Sequence, residues 1–245
     1  MKGFHVDCLQ IHRFPSQAEL AMAAAEAVTA EIRSLISERK RAIGIFASDP
    51  SSSEFLDELV NTTEIEDSEW TRVIVFQLAE YLDLGEEAPQ SCRRYLLDRL
   101  IKRVPIAEFH HIRGEAANPE TVCANYSALL RSRPPDFAVL GIGENGRLGL
   151  LSPGVCDFND EAAVRLVELA EDFRRFKVRE GAFNMIEEVP QLAISLTIPA
   201  LMDCRRLFAI AQGDSSRIID AEISPACPAS ILRKHRGAHL FIIDS

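Results

Sequence analysis

Two stretches of this chain hold residue types from which a reaction centre could be built. The first is Gln77-Leu78-Ala79-Glu80-Tyr81, in which one acid follows a hydrophobic run. The second is Gly141-Ile142-Gly143-Glu144-Asn145-Gly146-Arg147, which leads on to Ser152-Pro153-Gly154. Glycines at 141, 143 and 146 let backbone pass close to a ligand, so this segment is expected to be a substrate loop. It offers little that could move a proton, because the arginine at its lip has a pKa above about 12 and cannot act as a base at pH 7. A third stretch, Ser48-Asp49-Pro50-Ser51-Ser52-Ser53, stands before a helix, where free N–H groups and hydroxyls suit a phosphate. Serine in such a place is also an ordinary helix cap, and Asp49 opposes an anion.

Gly141-x-Gly143-x-x-Gly146 spells a dinucleotide fingerprint, but that fingerprint needs a helix to start at the loop. Arg147-Leu148-Gly149-Leu150-Leu151 runs into Ser152-Pro153 instead, so no nucleotide or other cofactor is expected. His110 and His111 would point to opposite faces of a strand and cannot share a metal ion. No metal-ligand spacing occurs elsewhere, and no metal is expected.

The elements that must position these residues alternate along the chain. Ser16 and Glu19 form a capping box for a helix from Gln17 to about Arg39. Strands are expected at 41–47, 73–76, 107–112, 137–140, 164–168, 192–196, 207–211 and 240–243. Helices are expected from Ser53 to Asn61, Gln90 to Lys102, Pro119 to Arg131, Asp172 to Arg179 and near Ser215 to Glu222. Such alternation implies an α/β protein: a mostly parallel sheet of modified Rossmann type with helices on both faces. No linker or repeat divides residues 1–245, so a single domain is expected. Ligands of such sheets bind beyond the carboxyl ends of the strands, which singles out the loops after Ala47, Phe76, Gly143 and Ala211.

The net charge of −10 over 245 residues argues against nucleic acid or an anionic membrane as partner. A small anion is still admissible, because a pocket can be locally positive. The six cysteines show no CxxC spacing and read as reduced thiols. With no membrane-length apolar run and no signal-peptide core, a cytoplasmic protein is expected. Homo-oligomerisation is left open.

Taken in order, several segments resemble the glucosamine-6-phosphate deaminase/isomerase family, which shares its fold with the 6-phosphogluconolactonases. Phe76-Gln77-Leu78-Ala79-Glu80-Tyr81 with Ala88-Pro89-Gln90-Ser91 is similar to F-N-M-D-E-Y…H-P-x-S-Y. Residues 141–153 resemble G-I-G-x-D-G-H-I-A-F-N-E-P, and the stretches 193–201 and 227–232 match later family segments. The resemblance implies a hexose 6-phosphate ligand. It also places the family's catalytic groups on this chain: the proton-shuttling aspartate falls on Ala79, the loop aspartate on Asn145, the histidine on Arg147 and the glutamate on Ser152. Isomerisation needs a base of near-neutral pKa, so impaired or altered activity is expected. Glu80 is the one nearby acid that could substitute, if the strand end twists. For the phosphate, Ser51, Ser52, Arg179 and Arg217 are the candidates; the family's lysine position falls on Ser216. A non-catalytic, sugar-phosphate-binding or regulatory protein and a lactonase-like hydrolase are the alternative readings.

Overall fold

The computed structural model describes residues 2–48, 53–62, 64–211 and 215–244. The chain opens with a hairpin of β1 (Lys2–Val6) and β2 (Leu9–Phe14), turned by Asp7 at φ 51°. Helix α1 (Gln17–Arg39) follows, its first turn capped by Ser16 Oγ accepting from Glu19 N at 3.3 Å. Next come β3 (Ala42–Phe46), α2 (Ser53–Asn61), α3 (Asp67–Trp70), β4 (Val73–Gln77) and the short β5 (Ala79–Tyr81). Helix α4 (Cys92–Leu96) continues as a π-helical turn over Leu97–Ile101. Then follow β6 (Glu108–His110), α5 (Pro119–Ser132) and β7 (Phe137–Ile142). The rest comprises β8 (Val164–Glu168), α6 (Glu171–Arg179), β9 (Leu192–Leu196), α7 (Ile198–Met202), β10 (Arg206–Ala211), α8 (Ser216–Asp220) and β11 (Ala238–Ile243).

The main sheet has the order β1-β2-β11-β10-β7-β3-β4-β6, parallel throughout except for the hairpin. Its central strands are buried on both faces, and alternate side chains feed two cores. Ile43, Ile45, Ala138 and Leu140 join one core, with Tyr126 and Leu130 of α5. Ala42, Phe46, Phe137 and Val139 join the other, with Val28 and Ile32 of α1 and Phe55 of α2. From β3 the chain steps outward through β4 to β6, then returns to place β7 on the other side of β3 and steps outward again. Strand order therefore reverses between β3 and β7, and the carboxyl ends of these strands open a crevice. Among the described residues no helix is long and apolar enough to cross a membrane.

Two features depart from the sequence reading. The hairpin β1–β2 was not anticipated, although Leu9 and Ile11 alternate as buried residues of β2. The segments 164–168 and 192–196 are strands, but they lie outside the parallel sheet. With β5 they form a separate antiparallel sheet in the order β5-β9-β8. In β8, the edge strand of this small sheet, Val164 and Val167 are buried while Arg165 and Glu168 are exposed.

Between β2 and β11, His12 Nε2 lies 3.1 Å from His239 Nδ1, and the pair is stacked with Phe241 and Phe208. Burial, with His12, Arg206 and His5 nearby, pushes the His239 imidazole down to about 4. Between pH 6.5 and 4 the folded chain thus binds fewer protons here than the unfolded chain. This contribution to stability is complete above pH 6.5 and drains away as the pH falls toward 4. Thermal melts of wild type and His239→Asn from pH 7 to 5 should show a steeper decline for wild type; parallel curves would refute this.

Candidate functional site

Three of the four loops singled out by the sequence converge at the β3/β7 crevice. Beyond β3, Ala47 N donates to Val139 O at 3.0 Å, which carries the chain to Ser48 beside β7. Beyond β4, Leu78 N donates to Phe46 O at 3.1 Å, and Ala79–Tyr81 then peels away to pair with β9. Beyond β7, a single 3-10 turn spans Glu144–Gly146, with Asn145 and Gly146 at φ 59° and 72°. Gly143 N then donates to Arg147 O at 3.0 Å, and Leu148 bridges back to Ile142. No helix starts here, so the dinucleotide fingerprint lacks the helix N-terminus that binds pyrophosphate. The fourth loop, after Ala211, begins with residues outside those described.

The converging loops enclose a cavity of about 340 Å³, at the lower end of the range typical of small-ligand sites. Its walls include Ser48, Ala79, Tyr81, Arg147, Lys177 and Glu180. A second hollow of about 100 Å³, which also has Arg147 in its wall, is lined by Asn145, Ser152, Asp172 and Phe173. Of the four positions to which the family resemblance assigns catalysis, Ala79 lines the larger hollow, Asn145 and Ser152 line the smaller, and Arg147 lines both. Its guanidinium lies over the Phe173 ring, 4.5 Å from ring centroid to Cζ, and Nη1 donates to Gly149 O. Any Cβ added at Gly143 would strike the guanidinium. Gly143→Ala should therefore cost about 1–3 kcal/mol of stability, the usual penalty of overpacking. In an Arg147→Met background that cost should shrink by more than half, and an unchanged cost in a double-mutant cycle would contradict this packing.

Glu80 does not face the cavity. Its carboxylate is buried and accepts from Tyr81 N at 2.9 Å, Cys92 N at 3.0 Å and Arg93 N at 2.7 Å. Ser91 Oγ at 2.9 Å and Gln77 Nε2 at 3.0 Å complete the set. The idea that Glu80 replaces the missing shuttle is corrected by this geometry. Adjacent strand side chains point to opposite faces, so with Ala79 in the cavity wall Glu80 turns inward to anchor the first turn of α4.

The phosphate candidates fare unevenly. Ser51 and Ser52 lie outside the described residues. Arg179 is exposed and stacked beside Phe176, and it does not line the cavity. Lys177 lines it instead, 8% exposed, with Nζ 2.6 Å from Glu180 Oε1. Residues two apart on a helix lie about 200° apart, so only one of these cations can face inward. The spacing of Lys177 four residues after Phe173 on the apolar face of α6 was the overlooked signal. Arg217 donates to Asn145 Oδ1 at 3.0 Å and so ties α8 to the loop rather than lining the cavity. Gly141 sits inside β7 opposite Ile210, and of the loop's glycines Gly149 is the one in the cavity wall. Tyr81 was also missed; burial raises its phenol well above the ordinary value, so it stays neutral.

A mostly parallel sheet with a cavity at its switch point defines an α/β protein with a Rossmann-type fold. Residues 15–241 match the family described as glucosamine-6-phosphate isomerases/6-phosphogluconolactonase. A glucosamine-6-phosphate deaminase of Exiguobacterium sp. is 33% identical over 172 residues, covering 68% of this chain and 66% of the relative. One from Clostridium acetobutylicum is 32% identical over 193 residues, covering 76% and 78%. The aligned part of this chain thus spans slightly under two thirds of the Exiguobacterium protein's length. Among solved structures, a monomeric glucosamine-6-phosphate deaminase superposes with a TM-score of 0.84 at 25% identity, over 95% of this chain and 96% of that one. The 6-phosphogluconolactonase of Trypanosoma brucei has the same fold, with a TM-score of 0.77 at 15% identity over 99% and 97%. The chain belongs to the glucosamine-6-phosphate isomerase/6-phosphogluconolactonase family.

Proposed function

We propose that this protein binds a sugar phosphate in the β3/β7 cavity and does not perform the isomerisation and deamination for which its relatives are named. One observation carries the reading: Ala79 and Arg147 stand in and around the cavity where the family resemblance puts the shuttle aspartate and the loop histidine. Among the described lining residues the titratable side chains are Tyr81, Cys92, Tyr95, Arg147, Lys177 and Glu180, and none is a histidine. Glu180 is already engaged by Lys177. The two cations support an anionic ligand, and the cavity's size suits a hexose phosphate. Ser51 and Ser52, just before α2, are the proposed phosphate-side residues, with Lys177 in place of Arg179 and Arg217. The lactonase-like alternative draws on the structural neighbours, but it calls on the same loop histidine whose place Arg147 holds.

Thermal melts with glucose 6-phosphate, fructose 6-phosphate and glucosamine 6-phosphate test the binding. At a hundredfold excess over Kd, ligand binding adds about 2.7 kcal/mol. For a chain of this size that is a rise of roughly 5–10 °C. A melting point unmoved across the panel would overturn the reading and favour a role through protein partners.

A further inference from the structure

Arg93, in the first turn of α4, is 3% exposed and does not line the cavity. Its guanidinium instead joins two loops. Nη2 lies 3.2 Å from Glu86, in the loop between β5 and α4, and 3.6 Å from Glu115, in the loop between β6 and α5. Nη1 donates to His111 Nδ1 at 3.3 Å, at the start of that second loop. Burial, and then Arg93 itself, hold the His111 imidazole below its ordinary value against the pull of Glu115 and Glu86, which keeps Nδ1 free to accept. The loops also meet through their backbones, Asp83 N donating to Gly114 O at 3.0 Å. Gly114 packs so tightly on β5 that a Cβ there would strike Tyr81 O. The Arg93 N–H is one of the donors that enclose Glu80. Ala79 and Tyr81 of β5 form part of the cavity wall, as do Pro89, Gln90 and Ser91 at the end of the first loop. A buried guanidinium keeps its charge and must hold its acceptors close, so it fixes the loops that supply them. Stability alone does not call for such a cluster, since apolar side chains of similar volume often serve as well.

We infer that Arg93 is a positioning residue of the site: by clasping the loops 82–91 and 111–118 it sets Ala79–Tyr81 and Pro89–Ser91 where they form the cavity wall. The inference rests on the proposal that the cavity takes a sugar phosphate, and it adds a residue that governs affinity without touching the ligand.

Titration calorimetry with glucose 6-phosphate, together with hydrogen exchange at the Asp83 amide, tests this well below the melting point of each variant. Val28→Ala, a cavity in the core under α1, serves as the control that only destabilises. Arg93→Met should weaken binding about tenfold, or about 1.4 kcal/mol, and speed Asp83 exchange by about tenfold or more. Arg93→Lys keeps the charge but cannot reach three acceptors at once, so it should fall between wild type and the methionine variant. Val28→Ala should lower the melting point while leaving affinity and Asp83 exchange within about twofold of wild type. If the methionine variant does not fold, Glu86→Gln combined with Glu115→Gln loosens the same clasp and carries the same expectation. Binding by Arg93→Met within about twofold of wild type would overturn the inference, whatever its melting point. So would an equal loss of affinity in Val28→Ala, since the effect would then be one of stability alone. Should wild type bind no sugar phosphate, the underlying proposal fails by itself, and Asp83 exchange still decides the clasp: faster in Arg93→Met upholds it, unchanged refutes it.

Discussion

Purified protein supplied with glucosamine 6-phosphate is expected to release ammonia no faster than a protein-free control. Moving a proton between two sugar carbons requires a group that accepts it at neutral pH and returns it, within hydrogen-bond reach of the carbon. The position that the family resemblance assigns to this task carries the methyl group of Ala79, 4% exposed in the cavity wall. The position assigned to the ring-opening histidine carries Arg147, which holds its proton throughout the physiological range. Loss of one general base forfeits on the order of 10²–10⁴ in rate, and here two such groups are replaced. Glu80 offers no rescue, because its carboxylate is enclosed by five donors away from the cavity. A coupled assay for ammonia, run at high protein concentration, measures this directly. Sustained turnover that scales with protein and disappears in Arg147→Met would sink the reading.

The second large effect concerns stability. Glu80→Ala is expected to lower the free energy of unfolding by about 3–5 kcal/mol, the range for removing one member of a buried charge-assisted cluster. The backbone N–H groups of Cys92 and Arg93 begin α4, and without the carboxylate these orphan donors are left buried and unpaired. Gln77 would also lose a partner, and its Oε1 in turn accepts from Ile112 N at 2.9 Å, so the disturbance reaches the end of β6. Urea denaturation of wild type and variant gives the difference. A change below about 1 kcal/mol would show that the network is dispensable. Had Glu80 been a proton carrier, the same variant would lose activity and keep its stability, so the two roles have opposite signatures.

These two residues also mark where sequence reasoning stopped. Ala79 and Glu80 are neighbours, and only the fold shows which one faces the ligand. The segment leaves β4, switches sheets and pairs with β9, so its facing is set by a strand 115 or so residues away. Lys177 and Arg179 pose the same problem on a helix. Both are basic and both lie in the last turn of α6, yet the docking of α6 through Phe173 brings only the lysine inward. The separate β5-β9-β8 sheet was missed for a related reason: alternation of strands and helices specifies elements, not their partners.

What the sequence determined by itself is local or compositional. It is the family resemblance that marks Ala79, Asn145, Arg147 and Ser152 as standing at catalytic positions, whereas the cap at Ser16, the long α1, the buried strands and the glycine loop can be read from residue types and spacing. Such features depend on interactions within a few residues, which the order of amino acids encodes directly. Tertiary structure decided the rest: the place of Arg147 in the walls of both hollows, the inward turn of Lys177 and the enclosure of Glu80. Each depends on which groups from distant segments meet in a low-dielectric interior. There an unpaired charge or a lost hydrogen bond is costly, so the meeting itself fixes the role.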